Sequence, residues 1–390
     1  MMKKKKLIVS ILLCAVLFLC ACSKEVKNEE KPEGSGEPIK EKEYQSKLDI
    51  LNPQAYGQVS GLNLQPKTYI SIIGRGVETP YWKEVKKGVD QAAADINTML
   101  GYKGEDKVKV NYSAPSKNNN VDEQINILDE ELARYPSAVG IAIIDSKACS
   151  VQFDLAAENG IPIVAFDSGS DYQGIVCMLG TNNQEISQMT ATKLCSSIGD
   201  EGEIFLVVHD SKSTTGMERE KAAVEEITVN HPQVTIAETI HLDDMKEMAK
   251  IIAGEKNANL SEGQAFIDPE MMKEEDILQY YFEKHPNIKG AIGTNEDAVH
   301  SIIIAKNKVL KNSENFLTVG VDGGEPQMEE LKSGEINGLI VQNPFGMGYA
   351  TVVAAARSVL EQGNEAVVDS GYIWITKDNL KEPSIKKMLY

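Results

Sequence analysis

From Thr68 onward, short β-branched runs alternate with longer stretches of helical period, and that alternation constrains the fold more than any other feature of the chain. The runs are YISII (69–73), VKVNY (108–112), GIAII (140–144), IPIVAF (161–166), EIFLVV (203–208), VTIAETI (234–240), GAIG (290–293), LTVGV (317–321) and GLIV (338–341). Between them, Trp82, Val85, Val89, Ala92 and Ile96 fall on one helical stripe, and Val121, Ile125, Leu128 and Leu132 on another. Nearly continuous apolar strands separated by amphipathic helices imply parallel sheet covered on both faces. Nine such runs over roughly 320 residues exceed one sheet of ordinary size. The expected fold class is therefore α/β, with two doubly wound Rossmann-like lobes.

The N-terminus reads differently. KKKK (3–6) precedes the apolar stretch LIVSILLCAVLFL (7–19), then Cys20, Ala21 and Cys22. A basic patch, a short apolar core and small residues before a cut make a secretory signal over 1–21, whereas a permanent span needs about twenty apolar residues. LCAC resembles a bacterial lipobox, which implies that Cys22 becomes the acylated (palmitate-bearing) N-terminus. Cys20 stands where that pattern prefers a small residue or valine. Residues 23–45 are almost all charged or small, with Pro and Gly, and cannot bury enough apolar area to order themselves. A lipid-anchored flexible tether is expected over 22–67, its end resting on the body through Leu48, Ile50, Leu51 and Tyr56. The location implied is the outer face of the cell membrane.

With Cys14 and Cys20 leaving with the signal and Cys22 carrying the lipid, Cys149, Cys177 and Cys195 remain, without CxxC spacing, and read as buried free thiols. The net charge is −18, and loss of 1–21 removes four lysines and no acid, giving −22. Such an acidic surface argues against nucleic acid and against docking on anionic lipid headgroups.

Ligands of open α/β sheets bind beyond the carboxyl ends of the strands. Those positions hold Thr79, Tyr81 and Trp82 after the first run, Asp145 after GIAII, Asp167 and Ser168 after IPIVAF, and His209, Asp210 and Lys212 after EIFLVV. Asn295, Asp322 and Gln342 follow the last three. No GxSxG, Walker loop, GxGxxG or HExxH occurs, so nothing calls for a nucleophile, a phosphate cradle, a cofactor or a metal. Aromatic rings beside converging carboxylates and amides suit a neutral polyol, whose C–H face stacks and whose hydroxyls take the polar groups. Each residue also has a plainer use. Trp82 lies on the apolar stripe, Asp145 and Asn295 stand where helix caps stand, Asp322 precedes two glycines, and Gln342 precedes a proline at a hinge.

The combination TPYW (79–82), NNNVDEQINILDE (118–130), ENGIPIVAFDS (158–168), TTGMEREKAA (214–223), GTNEDAV (293–299), VGVDGGEP (319–326) and VQNPFGMGYATV (341–352) resembles the type I periplasmic sugar-binding proteins, the ribose/galactose group related to LacI-type repressors. The resemblance spans Thr68 to about Ile375. It implies two lobes, 68–182 plus 343–371 and 183–342 plus 372–390, joined by three crossovers near 182–183, 342–344 and 370–372. It also implies stacking by Tyr81 and Trp82, a polar contact from Thr79, and hydrogen bonds from Asp145, Asp167, Asn295, Asp322 and Gln342. Where ribose binders carry arginines, this chain has Ser168 and Met217. Three carboxylates then need a positive partner, from Arg75, His209, Lys212 or a cationic ligand. Arg219 reads as a structural ion-pair partner. AGEKNANLSEGQAF (253–266) is expected as a surface excursion of the second lobe.

The function implied is a monomeric, non-enzymatic solute receptor that captures a small sugar or polyol and delivers it to an ABC permease. The alternatives are a sensor feeding a membrane histidine kinase or chemoreceptor, and a binder of a non-sugar cationic solute. An enzyme is disfavoured by the missing nucleophile–base pair. A cytosolic repressor is excluded by the leader standing where DNA-binding helices would be.

Overall fold

The apolar runs do become strands, and they sort into two sheets rather than one. The computed structural model of the chain describes residues 42–261, 263–309 and 315–390. The signal segment 1–21 and Cys22 lie outside the described residues. The strands are β1 Tyr69–Ile73, β2 Lys109–Ser113, β3 Ala138–Ile141, β4 Ile163–Phe166, β5 Ile175–Gly180, β6 Gly202–Val208, β7 Val234–His241, β8 Gly290–Gly293, β9 Leu317–Val321, β10 Gly338–Gln342, β11 Val367–Asp369 and β12 Tyr372–Ile375. The helices are α1 Gln45–Asp49, α2 Pro80–Leu100, α3 Val121–Leu132, α4 Ser150–Glu158, α5 Asn183–Ser197, α6 Thr214–Asn230, α7 Met245–Ala258, α8 Glu274–Lys284, α9 Glu296–Val309, α10 Glu325–Ser333, α11 Pro344–Val359 and α12 Pro383–Lys386.

One six-stranded sheet has the order β11-β5-β4-β3-β1-β2, the other β12-β10-β9-β8-β6-β7. All pairs are parallel except β10 with β12. In both sheets the order reverses about the first strand of the βα series, the switch point where an α/β crevice opens. The chain passes between sheets after β5, after β10 and between β11 and β12. Those passages are stitched together: Thr181 Oγ1 donates to Gln342 Oε1 at 2.9 Å and lies 3.2 Å from Ser370 Oγ, and Asn343 Nδ2 donates to the Ser370 carbonyl at 2.8 Å.

Helix α2 buries the expected stripe, with Val85, Val89, Ala92 and Ile96 fully enclosed. It packs on α11 so closely that a Cβ on Gly348 would sit 2.1 Å from the Val85 carbonyl oxygen, and one on Gly88 would sit 2.0 Å from that of Phe345. Cys149, Cys177 and Cys195 are buried free thiols.

The stretch 42–67, expected as the last part of a flexible tether, is part of the body. Leu48, Leu51, Tyr56, Leu62 and Leu64 are buried against the first lobe's core. The backbones of Asn52 and Asp369 exchange hydrogen bonds of 2.9 Å in each direction, and Asn343 Nδ2 donates to the Lys47 carbonyl at 2.6 Å. Five apolar side chains within seventeen residues supply the burial that the charged residues before them lack. Part of the expected excursion is also regular: α7 continues through Ala258, and among the described residues beyond it Asn259, Ser261 and 263–266 are exposed.

Candidate functional site

The loops at the carboxyl ends of both sheets face a common cleft. In the first lobe, Thr79 caps α2, its hydroxyl accepting the Trp82 N–H at 3.3 Å, and Pro80 occupies the first turn. This start aims Tyr81 and Trp82 at the cavity, their rings edge to face at 5.1 Å. Trp82 serves both uses, since it also joins the first lobe's core and meets Phe166 at 6.4 Å.

Each lobe contributes one aspartate held in the left-handed region. Asp167, just past β4, has φ +59°, and Asp322, just past β9, has φ +83°. Their backbone N–H groups still bond the neighbouring strands, to Leu179 O at 2.7 Å and Ile340 O at 2.8 Å. The chain therefore turns sharply while still anchored, and the carboxylate swings off the sheet end. Aspartate tolerates this conformation better than most side chains. Tyr81 donates to Asp167 Oδ1 at 2.6 Å. Asp322 accepts from Gln342 Nε2 at 2.5 Å and from the Glu296 N–H at 2.9 Å. Gln342 in turn accepts from Arg219 Nη2 at 2.9 Å, and Arg219 also donates to Asn183 Oδ1 and to the Thr294 carbonyl. Tyr390 approaches from the end of the chain, its ring 6.3 Å from Tyr81 and its hydroxyl accepting the Gly323 N–H at 3.2 Å.

The lobes also touch directly at the rim. Arg75 of the first lobe donates to Asp210 Oδ2 of the second at 2.8 Å and to Asn119 Oδ1 at 3.0 Å, and stands 3.9 Å from Asp167. The Gly169 N–H donates to Thr214 Oγ1 at 2.8 Å, with Ser168 Oγ 3.1 Å from the same atom.

Of the residues expected in a site, Thr79, Tyr81, Trp82, Asp167, Asn295, Asp322 and Gln342 line the cavity. Asp145 does not: β3 ends at Ile141, and the Asp145 carboxylate turns back to accept the Lys147 N–H at 2.9 Å. Ser168 is fully buried in the contact between lobes instead of forming a cavity wall. Arg75 is the positive partner among the three considered. Lys212 is exposed, and burial pushes His209 down to about 3, so its ring is neutral and pairs with Thr294 Oγ1 at 2.8 Å. Arg219 also departs from expectation. It reaches the cavity and bonds neutral acceptors only, with no carboxylate at ion-pair distance among the described residues.

Sequence reasoning missed Asn118, Asn119, Thr215, Glu296 and Asp297 as cavity residues. The NNN run was visible as a motif. Glu296 and Asp297 look like any acids in a first helical turn, which the helix dipole favours without a ligand.

The electrostatics are uneven. Burial acts to raise the Asp210 carboxyl, yet Arg75 and the Ser213 hydrogen bonds hold it well below the usual carboxylate range. Burial raises Asp322, against the opposing pull of Arg219 and Gln342. Burial, with Asp322, Asp297 and Glu330 nearby, raises Glu296 to about 7. Burial and Asp167 push the Tyr81 phenol well above its ordinary value, so it stays a donor.

A family profile described as "Periplasmic binding protein domain" matches residues 70–364. The chain is similar to the ribose import binding protein RbsB of Bacillus subtilis (strain 168), 19% identical over 351 residues that cover 90% of this chain and 92% of that one. It is similar to the xylitol-binding protein of Mycolicibacterium smegmatis, 21% identical over 299 residues covering 76% and 74% of the two chains. Among solved structures, the carbohydrate transporter solute binding protein from Agrobacterium radiobacter, in complex with D-arabinose, superposes with a TM-score of 0.68 at 24% identity over 83% of this chain and 99% of its own. The ABC transporter solute binding protein of Agrobacterium vitis, bound with α-D-tagatopyranose, gives 0.69 at 22% identity over 83% and 99%. At these identities the structural likeness establishes the fold.

Proposed function

Because the chain belongs to the periplasmic binding protein domain family, a family of solute-binding proteins and not of enzymes, we propose that it is the receptor of an ABC importer for a small sugar or polyol. Delivery would be to a membrane permease, from a position outside the cell membrane fixed by a lipid on Cys22. The observation that carries this reading is the meeting of Tyr81–Asp167 from one lobe with Asp322–Gln342 from the other around one cavity. Relatives named for ribose and xylitol binding, and neighbours solved with D-arabinose and D-tagatose, support a ligand of that size and hydroxyl content.

In this mechanism the three crossovers at 182–183, 342–344 and 370–372 act as hinges. A ligand that touches both lobes favours the closed form by its extra contacts there, and so shifts the open–closed population. The aromatic pair would cover an apolar ring face, while Asp167, Asn295 and Asp322 would take hydroxyls.

A melting screen against pentoses, hexoses, pentitols and inositol tests the reading. A specific ligand at 100 times its Kd adds about 2.7 kcal/mol to the stability of the folded state. A melting shift with at least one sugar or polyol is expected. A shift only with amino acids or peptides would refute it.

A further inference from the structure

The charges around the cavity do not balance. Of the two guanidinium groups that reach it, Arg75 is paired with Asp210, and Arg219 bonds Asn183, Thr294 O and Gln342, so its charge acts on Asp322 across the Gln342 amide. On the second-lobe wall, Asp322 and Glu296 are neighbours: the Glu296 backbone N–H donates to Asp322 Oδ2 at 2.9 Å, and Asp322 is near enough to raise the Glu296 carboxyl. Among the described residues, no lysine or arginine nitrogen reaches ion-pair distance of either carboxylate. Glu296 Oε2 is buried without a hydrogen-bond partner, its carboxylate lodged against Gly324, where an added Cβ would clash with Oε1. Asp322 is only 5% exposed. A metal does not account for the pair, because no group of three or more His, Cys, Asp or Glu among the described residues is placed to hold one.

A hydroxyl group could satisfy the free Glu296 oxygen but would bring no positive charge to a wall where buried acids outnumber the cations near them. An ammonium brings three donors together with the missing charge. We propose, resting on the sugar-binding reading, that the ligand carries a cationic amine, as an amino sugar or aminated polyol, with the amine seated against Asp322 and Glu296. The stacking pair Tyr81–Trp82 on the opposite lobe would then hold the carbon skeleton. The groups facing Glu296 are Asp322, Asp297 and Glu330, with the Tyr390 phenol nearby. Their acidity opposes its ionisation until a cation arrives.

Calorimetric titration of the full chain at pH 7 decides this. The probes are D-glucosamine, D-galactosamine, D-mannosamine and 1-amino-1-deoxysorbitol, each against its hydroxyl parent and, for the three sugars, the N-acetyl form that lacks the charge. At least one amine is expected to bind ten or more times tighter than its parent. Glu296→Gln, close to isosteric and checked for an intact melting transition, should shrink that ratio severalfold. Neutral parents binding as well as or better than the amines would overturn the proposal and leave the sugar-binding reading standing. If neither amines nor neutral sugars bind, both fall together.

Discussion

Asp167 and Asp322 occupy equivalent places in the two lobes, each one residue past a strand and each at positive φ, and they differ in what surrounds them. Asp167 has the Tyr81 hydroxyl and Arg75 within reach, whereas Asp322 leans on an amide and a backbone N–H beside a second acid. The acid beside it has a measurable consequence. Folded, Glu296 keeps its proton up to about pH 7, while in the unfolded chain it gives the proton up near the ordinary carboxylate value. Between those values the folded state binds more protons, so stability falls as pH rises from 5 to 8. The loss is on the order of 2 kcal/mol once solvent screening of a partly exposed group is allowed for. Glu296→Gln should remove most of that slope in urea unfolding measured at pH 5 and 8, and an unchanged slope would contradict the assignment. The two aspartates were legible in the sequence because each follows an unmistakable apolar strand. Asp145 was misplaced for the same reason in reverse: GIAII (140–144) reads as strand to its end, but only its first two residues pair.

At the scale of elements, long amphipathic helices and central strands declared themselves through period, and the marginal strands did not. β11 has three residues, and β12 runs antiparallel at a sheet edge with Tyr and Trp half-buried. β5 carries β-branched residues only at its first two positions, Ile175 and Val176, and so lacks the usual compositional mark. Those three strands complete both sheets, so sequence reasoning counted the lobes correctly while underfilling them. The segment 42–67 shows the opposite failure: Leu48, Leu51 and Tyr56 rest on the body as expected, but order runs through the rest of the stretch as well. Tyr56 is its anchor, 1% exposed, with its hydroxyl accepting the Glu365 N–H at 2.8 Å. Tyr56→Ala should lower the unfolding free energy by about 3 kcal/mol, read by chemical denaturation. A loss under 1 kcal/mol would mean that the segment rests on the body without supporting it.

At the scale of the two lobes, rim contacts join them where Arg75 meets Asp210 and Gly169 meets Thr214. Removing one partner of such a buried pair leaves the other charge uncompensated, at a cost of about 3 kcal/mol or more, while removing both together is far milder. Arg75→Met should therefore destabilise the protein, and Arg75→Met combined with Asp210→Asn should recover much of the loss in the same denaturation assay. Equal instability of the single and double variants would show that Arg75 acts through something other than Asp210. The same pair bears on transport, because a latch that is too strong would hold the cleft shut without ligand, and a population shift requires that ligand contacts decide the balance.

Small-angle scattering with a saturating sugar ligand, on the wild-type chain and on Tyr81→Ala/Asp322→Ala, tests the bridging of two lobes by one ligand most directly. The account predicts a drop in radius of gyration at one ligand per chain in the wild type. The variant, still melting cooperatively, should show none. Equal compaction of both proteins, or tight binding with no compaction in either, would contradict it.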